Sequence, residues 1–367
     1  MASVKNLAYK SIQIYRLLLK IAEMRILGVL LVAIVAYMVS LEKQTMDFPT
    51  YVVCKILRAM LPITFPKDVA DAQFWRSKVG RYIRKSQFFK FHGRTVNLDL
   101  AAEDGSPLPA RIYIPTTATT SKRPTIVWIH GGGFVVGNIN VDGGVAAQLA
   151  AEADMVGVII TYRLAPEHIY PAAVTDCRHV LEWIKANIHM YGGDGDQIYI
   201  AGESAGGNLA AVMASINLDP AKTSEDNRLR IQGLVLVAPS VAPFATYPSV
   251  NLYGKTGLLT TYQMEAFRNT YVNHNNSLKH EYTFAPINTP REVLAQYPPT
   301  VLILSQYDPL LDEGVHFSRI LQSLGVFVTT KLYETSTHGF FGLEFLPYGR
   351  ASVSYAAEQL RSMVARG

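Results

Sequence analysis

Three residues far apart in the chain, Ser204, Asp308 and His338, are of the types that together make a serine hydroxyl reactive. A hydroxyl is a weak nucleophile near neutral pH, so it needs an imidazole to take its proton and a carboxylate to orient that imidazole. Ser204 stands in "GESAGG", residues 202–207, behind the apolar run "QIYIA" and ahead of the helix-like "AGGNLAAVMASI". The pattern G-x-S-x-G in that setting predicts a sharp strand-to-helix turn that pushes the serine out of the sheet edge. Gly202 and Gly206 flank it because side chains there would collide where strand and helix come close. The helix N-terminus adds amide dipoles near any developing negative charge. Asp308 ends the run "TVLILSQYD", and His338, in "THGFFG", follows the next run, which gives the order serine, acid, histidine. Asp312 is the neighbouring acid, and it reads as the cap of the helix that follows.

A second chemical feature is "WIHGGGFVVGN", residues 128–138. Uncovered glycine amides bind any negative charge, a phosphate or an oxyanion. A dinucleotide fingerprint starting at Gly131 needs glycine where Val136 stands, and a P-loop starting at Gly132 needs Lys and Ser/Thr where Asn138 and Ile139 stand. Both phosphate readings fail on their defining members. With a nucleophile in hand, the amides of Gly132 and Gly133, joined by that of Ala205, are expected to hold an oxyanion, each such donor contributing about 10² to 10³ in rate. His130 and Gly131 are then support for the loop, with no part in proton transfer.

The elements that must position these residues follow from the pattern of apolar runs. "RTVNLDL" and "ARIYIP" predict a starting hairpin, followed by the strands "PTIVWIH", "VGVIITYRL", "QIYIAGES", "IQGLVLVAPS", "TVLILSQYD" and "FVTTKLYE". Helix-length segments at 172–188, 205–216 and 313–324 separate the later ones. Strands apolar nearly throughout and alternating with helices predict an α/β fold with a mostly parallel sheet covered on both faces. Ser204, Asp308 and His338 are expected at one end of adjacent strands of that sheet, where open α/β sheets bind ligands. Two stretches break the alternation, residues 46–93 and the interval 241–298, which is rich in Tyr, Asn and Pro; both are expected to form a helical cap over the active face. The catalytic domain is expected to span 94–367.

Composition removes other functions. With 49% hydrophobic residues the 367-residue chain supports a large core, which excludes a disordered protein. The net charge of +5 comes from scattered basic residues with no nucleic-acid-binding signature, so no nucleic-acid partner is expected. Metal-ligand spacing is missing, and the expected chemistry needs neither metal nor cofactor. Cys54 and Cys177 are the two cysteines, and the sequence leaves their pairing open. Residues 1–45 are expected to be a tail and membrane anchor: 26–41 carry no charge, 17–21 extend the apolar stretch, and five basic residues precede it against one acid. That bias predicts a single-pass protein with a cytosolic N-terminus and a translocated body. A cleaved signal peptide and a soluble or interfacial helix are the rival readings.

The motifs "HGGGF" (130–134), "YRLAPEHIYPAAVTD" (162–176), "GESAGGNLAA" (202–211), "DPLLDEG" (308–314) and "HGF" (338–340) occur in an order that resembles the hormone-sensitive-lipase-like branch of the α/β-hydrolases, over residues 94–365. The resemblance implies an α/β-hydrolase fold, Ser204 as nucleophile, His338 as base, Asp308 as orienting acid, and Gly132, Gly133 and Ala205 as oxyanion donors, acting without a cofactor on a small-molecule ester. Glu203 departs from the Asp of many members. The charged residues Arg163, Glu167 and His168 are expected to shape the loop behind the site. Within the branch, the anchored organisation is similar to arylacetamide-deacetylase-like enzymes of the endoplasmic reticulum, which implies a lumenal catalytic domain and makes Asn275, in "NNS", a usable glycosylation site. Hydrolases of microbial and fungal natural-product pathways are also similar. Two other functions fit the same motifs, an acyltransferase or lactone-forming enzyme with the same triad, and a non-catalytic receptor like the plant gibberellin receptors, which lack the histidine. A cytoplasmic or secreted location is the alternative to the lumen.

Overall fold

The computed structural model describes residues 50–51, 54–55, 69–82, 85–116, 121–255, 257–344, 346 and 348–366. The expected anchor at 17–41 lies outside them, and among the described residues no helix is long and apolar enough to cross a membrane. Helix α1 (Val69–Tyr82) precedes the hairpin β1 (Gly93–Ala101) and β2 (Pro107–Pro115). Then come β3 (Arg123–Ile129), α2 (Gly143–Ala153), β4 (Val156–Ile160), α3 (Ala172–Asn187), β5 (Gly193–Glu203), α4 (Ala205–Leu218) and β6 (Ile231–Val237). After α5 (Pro248–Tyr253) and α6 (Thr261–Val272) the alternation resumes with β7 (Thr300–Tyr307), α7 (Leu311–Ser323), β8 (Val328–Thr337) and α8 (Gly349–Val364).

The eight strands form one sheet in the order β1-β2-β4-β3-β5-β6-β7-β8. β1 and β2 pair antiparallel, β2 meets β4 antiparallel, and every pairing from β4 to β8 is parallel. Side chains of the central strands alternate between two cores, because a strand points successive residues to opposite faces. Val127, Ile200, Leu236 and Leu304 pack on one face, while Trp128, Tyr199, Val235 and Ile303 pack on the other. Helix α4 is buried along nearly its whole length, as its run of Ala and Gly allows close approach to the sheet.

The sequence reading needs three corrections here, and one open point closes. Helices α2 and α8 were not anticipated; the Ala-rich α2 is buried on most of its circumference, so its pattern lacks a polar face to betray it. The strands that end at Ser204 and Asp308 are not adjacent, since β6 lies between β5 and β7. Asp312 is not a helix cap: it lies in the first turn of α7, and its Oδ2 accepts from the Ser249 amide at 2.8 Å. Cys177 is a free thiol buried in the main core, so it is not bridged to Cys54.

Candidate active site

Strand β3 leads into the glycine loop and β5 into Ser204, and these two neighbours flank the point where the chain changes direction across the sheet. Ser204 has φ 58° and ψ −117°, a left-handed conformation costing about 1–3 kcal/mol that the surroundings must hold. They do so by hydrogen bonds: its amide donates to the Val237 carbonyl at 2.9 Å, and its carbonyl accepts from Asn208 and Ser240 amides at 2.9 and 3.2 Å. The glycines leave the space this turn needs. A Cβ on Gly202 would stand 2.4 Å from the Gly206 carbonyl, and one on Gly206 would stand 2.1 Å from the Ile129 oxygen.

Asp308 follows β7 and is buried, with Oδ1 accepting from the Leu310 amide at 2.8 Å. Its Oδ2 lies 2.7 Å from Nδ1 of His338, which follows β8. With Nδ1 as the donor to this carboxylate, Nε2 carries the lone pair of a neutral ring. Ser204, Ala205, Gly131, Gly132, Gly133 and His338 all line one cavity of about 220 Å³. Among the described residues no acceptor takes the amides of Gly132, Gly133 and Ala205, which leaves three donors at the cavity. Gly132, at φ 114°, has no room for a side chain, because a Cβ would meet the Val136 oxygen at 2.1 Å.

His130 stands behind this loop. Its ring stacks on Tyr162 with centroids 4.4 Å apart, and its Nδ1 lies 2.8 Å from the Gly131 oxygen. Burial lowers its pKa, which favours the neutral ring that a packing residue requires. Gly137, at φ 116°, belongs to the same device, since a Cβ there would strike His130 Nδ1 at 2.2 Å. Arg163 and Glu167 of the "YRLAPEH" stretch hold the loop behind the site. Asp176 takes Arg163 through both oxygens at 2.7–3.0 Å, and Glu167 receives the Arg76 fork at 2.7 Å twice. Arg76, on α1, also donates to the Val135 and Ala165 carbonyls at 2.8 Å, so it fastens α1 to the glycine loop.

Further walls come from α1 and from the interval 241–298. Trp75, Leu258, Met264, Phe267 and Phe284 make this side of the cavity apolar. Phe134 stacks on Tyr271 of α6 with centroids 4.0 Å apart, which ties that helix to the glycine loop. None of these wall residues was read from the sequence. One signal was available: Thr260 and Gln263 form a reciprocal capping box, a T-x-x-Q pattern that announces α6 and hence the face carrying Met264 and Phe267. Asn275 is exposed and its Oδ1 caps a 3-10 turn, accepting from the Ser277 amide at 3.0 Å.

Residues 126–342 match the family model Abhydrolase_3, described as alpha/beta hydrolase fold. The chain belongs to this family. It is therefore an α/β hydrolase in fold, and its relatives agree. It is 33% identical over 250 residues to esterase LipI of Mycobacterium tuberculosis, a match covering 68% of this chain and 75% of the other. Carboxylesterase NlhH of the same organism is 30% identical over 295 residues, covering 78% and 88%. Among solved structures, the hyperthermophilic esterase of the archaeon Pyrobaculum calidifontis superposes on this α/β hydrolase with a TM-score of 0.77 at 29% identity, over 88% of this chain and 99% of that one.

Proposed function

We propose that the protein hydrolyses carboxylic esters through Ser204, His338 and Asp308. The Ser204 hydroxyl attacks the ester carbonyl while His338 Nε2 takes its proton, and Asp308 stabilises the imidazolium that forms. The carbonyl oxygen, now negative, is held by the amides of Gly132, Gly133 and Ala205. His338 returns the proton to the departing alcohol, and water then releases the acid from Ser204 by the same route in reverse. The observation that carries this reading is the 2.7 Å His338–Asp308 hydrogen bond at the edge of the cavity that Ser204 lines. That pair also favours an enzyme over a receptor, since a receptor has no use for a poised base. Relatives named as esterases support the reaction class.

The substrate is a small to medium lipophilic ester, because the walls contributed by Trp75, Met264, Phe267 and Phe284 are apolar. An acetylated lipid or natural-product intermediate fits that description. Residues 1–45 anchor the protein in a membrane with the catalytic body on the lumenal side, and Asn275 there accepts a glycan. The deciding experiment is turnover of a panel of short activated and acetylated esters by wild type and Ser204→Ala. Loss of essentially all turnover in the variant, about 10⁴-fold or more, is expected; wild-type rates from Ser204→Ala would remove the assignment.

A further inference from the structure

The cavity contains a charged cluster that ester hydrolysis, as described above, leaves unused. Lys85, Asp142 and Glu203 are each more than nine-tenths buried, and all three line the cavity beside Ser204. They come from separate parts of the chain: Lys85 from the segment between α1 and β1, Asp142 from the residue before α2, and Glu203 from the end of β5. Lys85 Nζ pairs with Glu203 Oε2 and stands 3.7 Å from Asp142 Oδ1. Asp142 Oδ2 accepts from the Trp128 indole at 3.1 Å, whereas Glu203 Oε1 is buried with no hydrogen-bond partner among the described residues.

The ammonium is held in place by its backbone. The Lys85 amide donates to the Val141 carbonyl at 2.8 Å, and Ser86 donates through its amide to Gly342 at 2.6 Å. Gly144 has to be glycine for this approach, because a Cβ there would lie 2.3 Å from the Lys85 oxygen. Two other ionisable groups face the segment. His130, at the end of β3, feels both Asp142 and Lys85, and Glu344, after β8, accepts the Phe88 amide at 2.6 Å. Desolvation lowers the Lys85 pKa and the nearby Asp142 carboxylate opposes that fall.

Two carboxylates thus lie behind a site that must build negative charge. The glycine loop packs on the backbone of residue 203, whose carbonyl oxygen a Cβ on Gly131 would meet at 2.9 Å, and Glu203 and Asp142 line the same cavity as Gly131, Gly132 and Gly133. In a water-poor cavity an unpaired anion on the same lining would oppose the oxyanion and cancel part of what the amides supply. We propose that Lys85 is a positioning residue that neutralises the Glu203 and Asp142 carboxylates behind the oxyanion-binding amides. This rests on the ester-hydrolase reading, and its role is electrostatic.

The test uses the full chain and a neutral short-chain 4-nitrophenyl ester, with Lys85→Met, Lys85→Arg and the double variant Lys85→Met/Glu203→Gln assayed from about pH 6 to 9 beside thermal unfolding. Lys85→Met is expected to lower kcat about tenfold or more at the alkaline end with KM nearly unchanged. The loss shrinks towards acid pH, where the stranded buried carboxylate takes up a proton. Adding Glu203→Gln restores kcat to within about threefold of wild type and removes the pH dependence of the loss. Lys85→Arg, which keeps the charge, retains most of the rate. A Lys85→Met loss that is the same at every pH and is not relieved by Glu203→Gln overturns the proposal, as does a Lys85→Met variant with wild-type kcat. If Lys85→Met does not fold, the double variant decides: folded and active supports the proposal, folded and inactive overturns it. Should neither fold, the cluster serves folding alone and the proposal falls. A wild type without Ser204-dependent turnover refutes the hydrolase reading itself, and Ser204→Ala reads that failure separately.

Discussion

Nδ1 of His338 and Oδ2 of Asp308 lie 2.7 Å apart although 30 residues separate them in the chain. Neither residue is free to turn away. The second oxygen of Asp308 is fixed by the Leu310 amide, and both residues are buried. The carboxylate therefore sets which nitrogen of the ring carries the proton.

Replacing Asp308 with Asn tests that control. An amide presents a donor or acceptor of either sense to Nδ1, so the ring loses its preferred tautomer while its position survives. The expected outcome is a fall in kcat of about 10³ to 10⁴ with near-normal KM, measured on a short activated ester. A kcat within about tenfold of wild type would transfer the orienting role to another acid.

Gly133→Ala and Gly206→Ala are expected to fail differently. At Gly133 φ is 61°, and a Cβ would strike the Phe267 ring at 2.3 Å, so the variant folds with a displaced glycine loop and a kcat lower by about 10². Adding Phe267→Ala removes the collision but not the backbone strain, and restores only part of the rate. At Gly206 the obstacle is the Ile129 carbonyl of the central sheet, 2.1 Å away, which cannot give way. That variant is expected to lose stability by about 1–3 kcal/mol or more, read as a lower Tm or loss of folded protein.

Glu313 offers a test of pH-dependent stability. It is buried on α7, its Oε1 accepts from the Val241 and Ala242 amides at 2.7 and 3.1 Å, and its Oε2 has no partner among the described residues. Burial outweighs those hydrogen bonds and pushes its pKa up from 4.5 to about 8. The unfolded chain releases this proton above the ordinary value while the folded chain keeps it. The folded state therefore binds more protons across that window, and its stability falls as pH rises through it. Glu313→Gln keeps the acceptor and abolishes the titration. Its Tm relative to wild type is expected to climb from about pH 5 to 8; a Tm difference independent of pH would refute the assignment.

The proposed anchor is tested by removal of residues 1–42. The shortened protein should leave the membrane fraction of cells while retaining ester turnover. Persistence in the membrane after alkaline washing would place the attachment elsewhere in the chain.

How much of this was legible in the sequence differs by feature. The placement of Ser204, Asp308 and His338 at strand ends could be read because each directly follows a run with strand character, and chain order at strand ends translates into position along one sheet edge. The insertion of β6 between β5 and β7 could not, since sheet order depends on which edges pair and leaves no mark in the strands themselves. Asp312 looked like a cap because it opens a helix, yet its partner is Ser249, 63 residues away.

The sequence by itself determined the local geometry: a strand-to-helix turn with glycines on either side of Ser204, a glycine loop after β3, and the alternation that makes a parallel sheet. These follow from the conformational reach and size of adjacent residues, which short motifs encode. Only the tertiary structure decided the cavity walls and the buried charges. Lys85 meets Glu203 across 118 residues and Arg76 meets Glu167 across 91. Such pairs are brought together by burial of distant segments against a common core, and their energies depend on local dielectric and geometry that no single stretch of sequence contains.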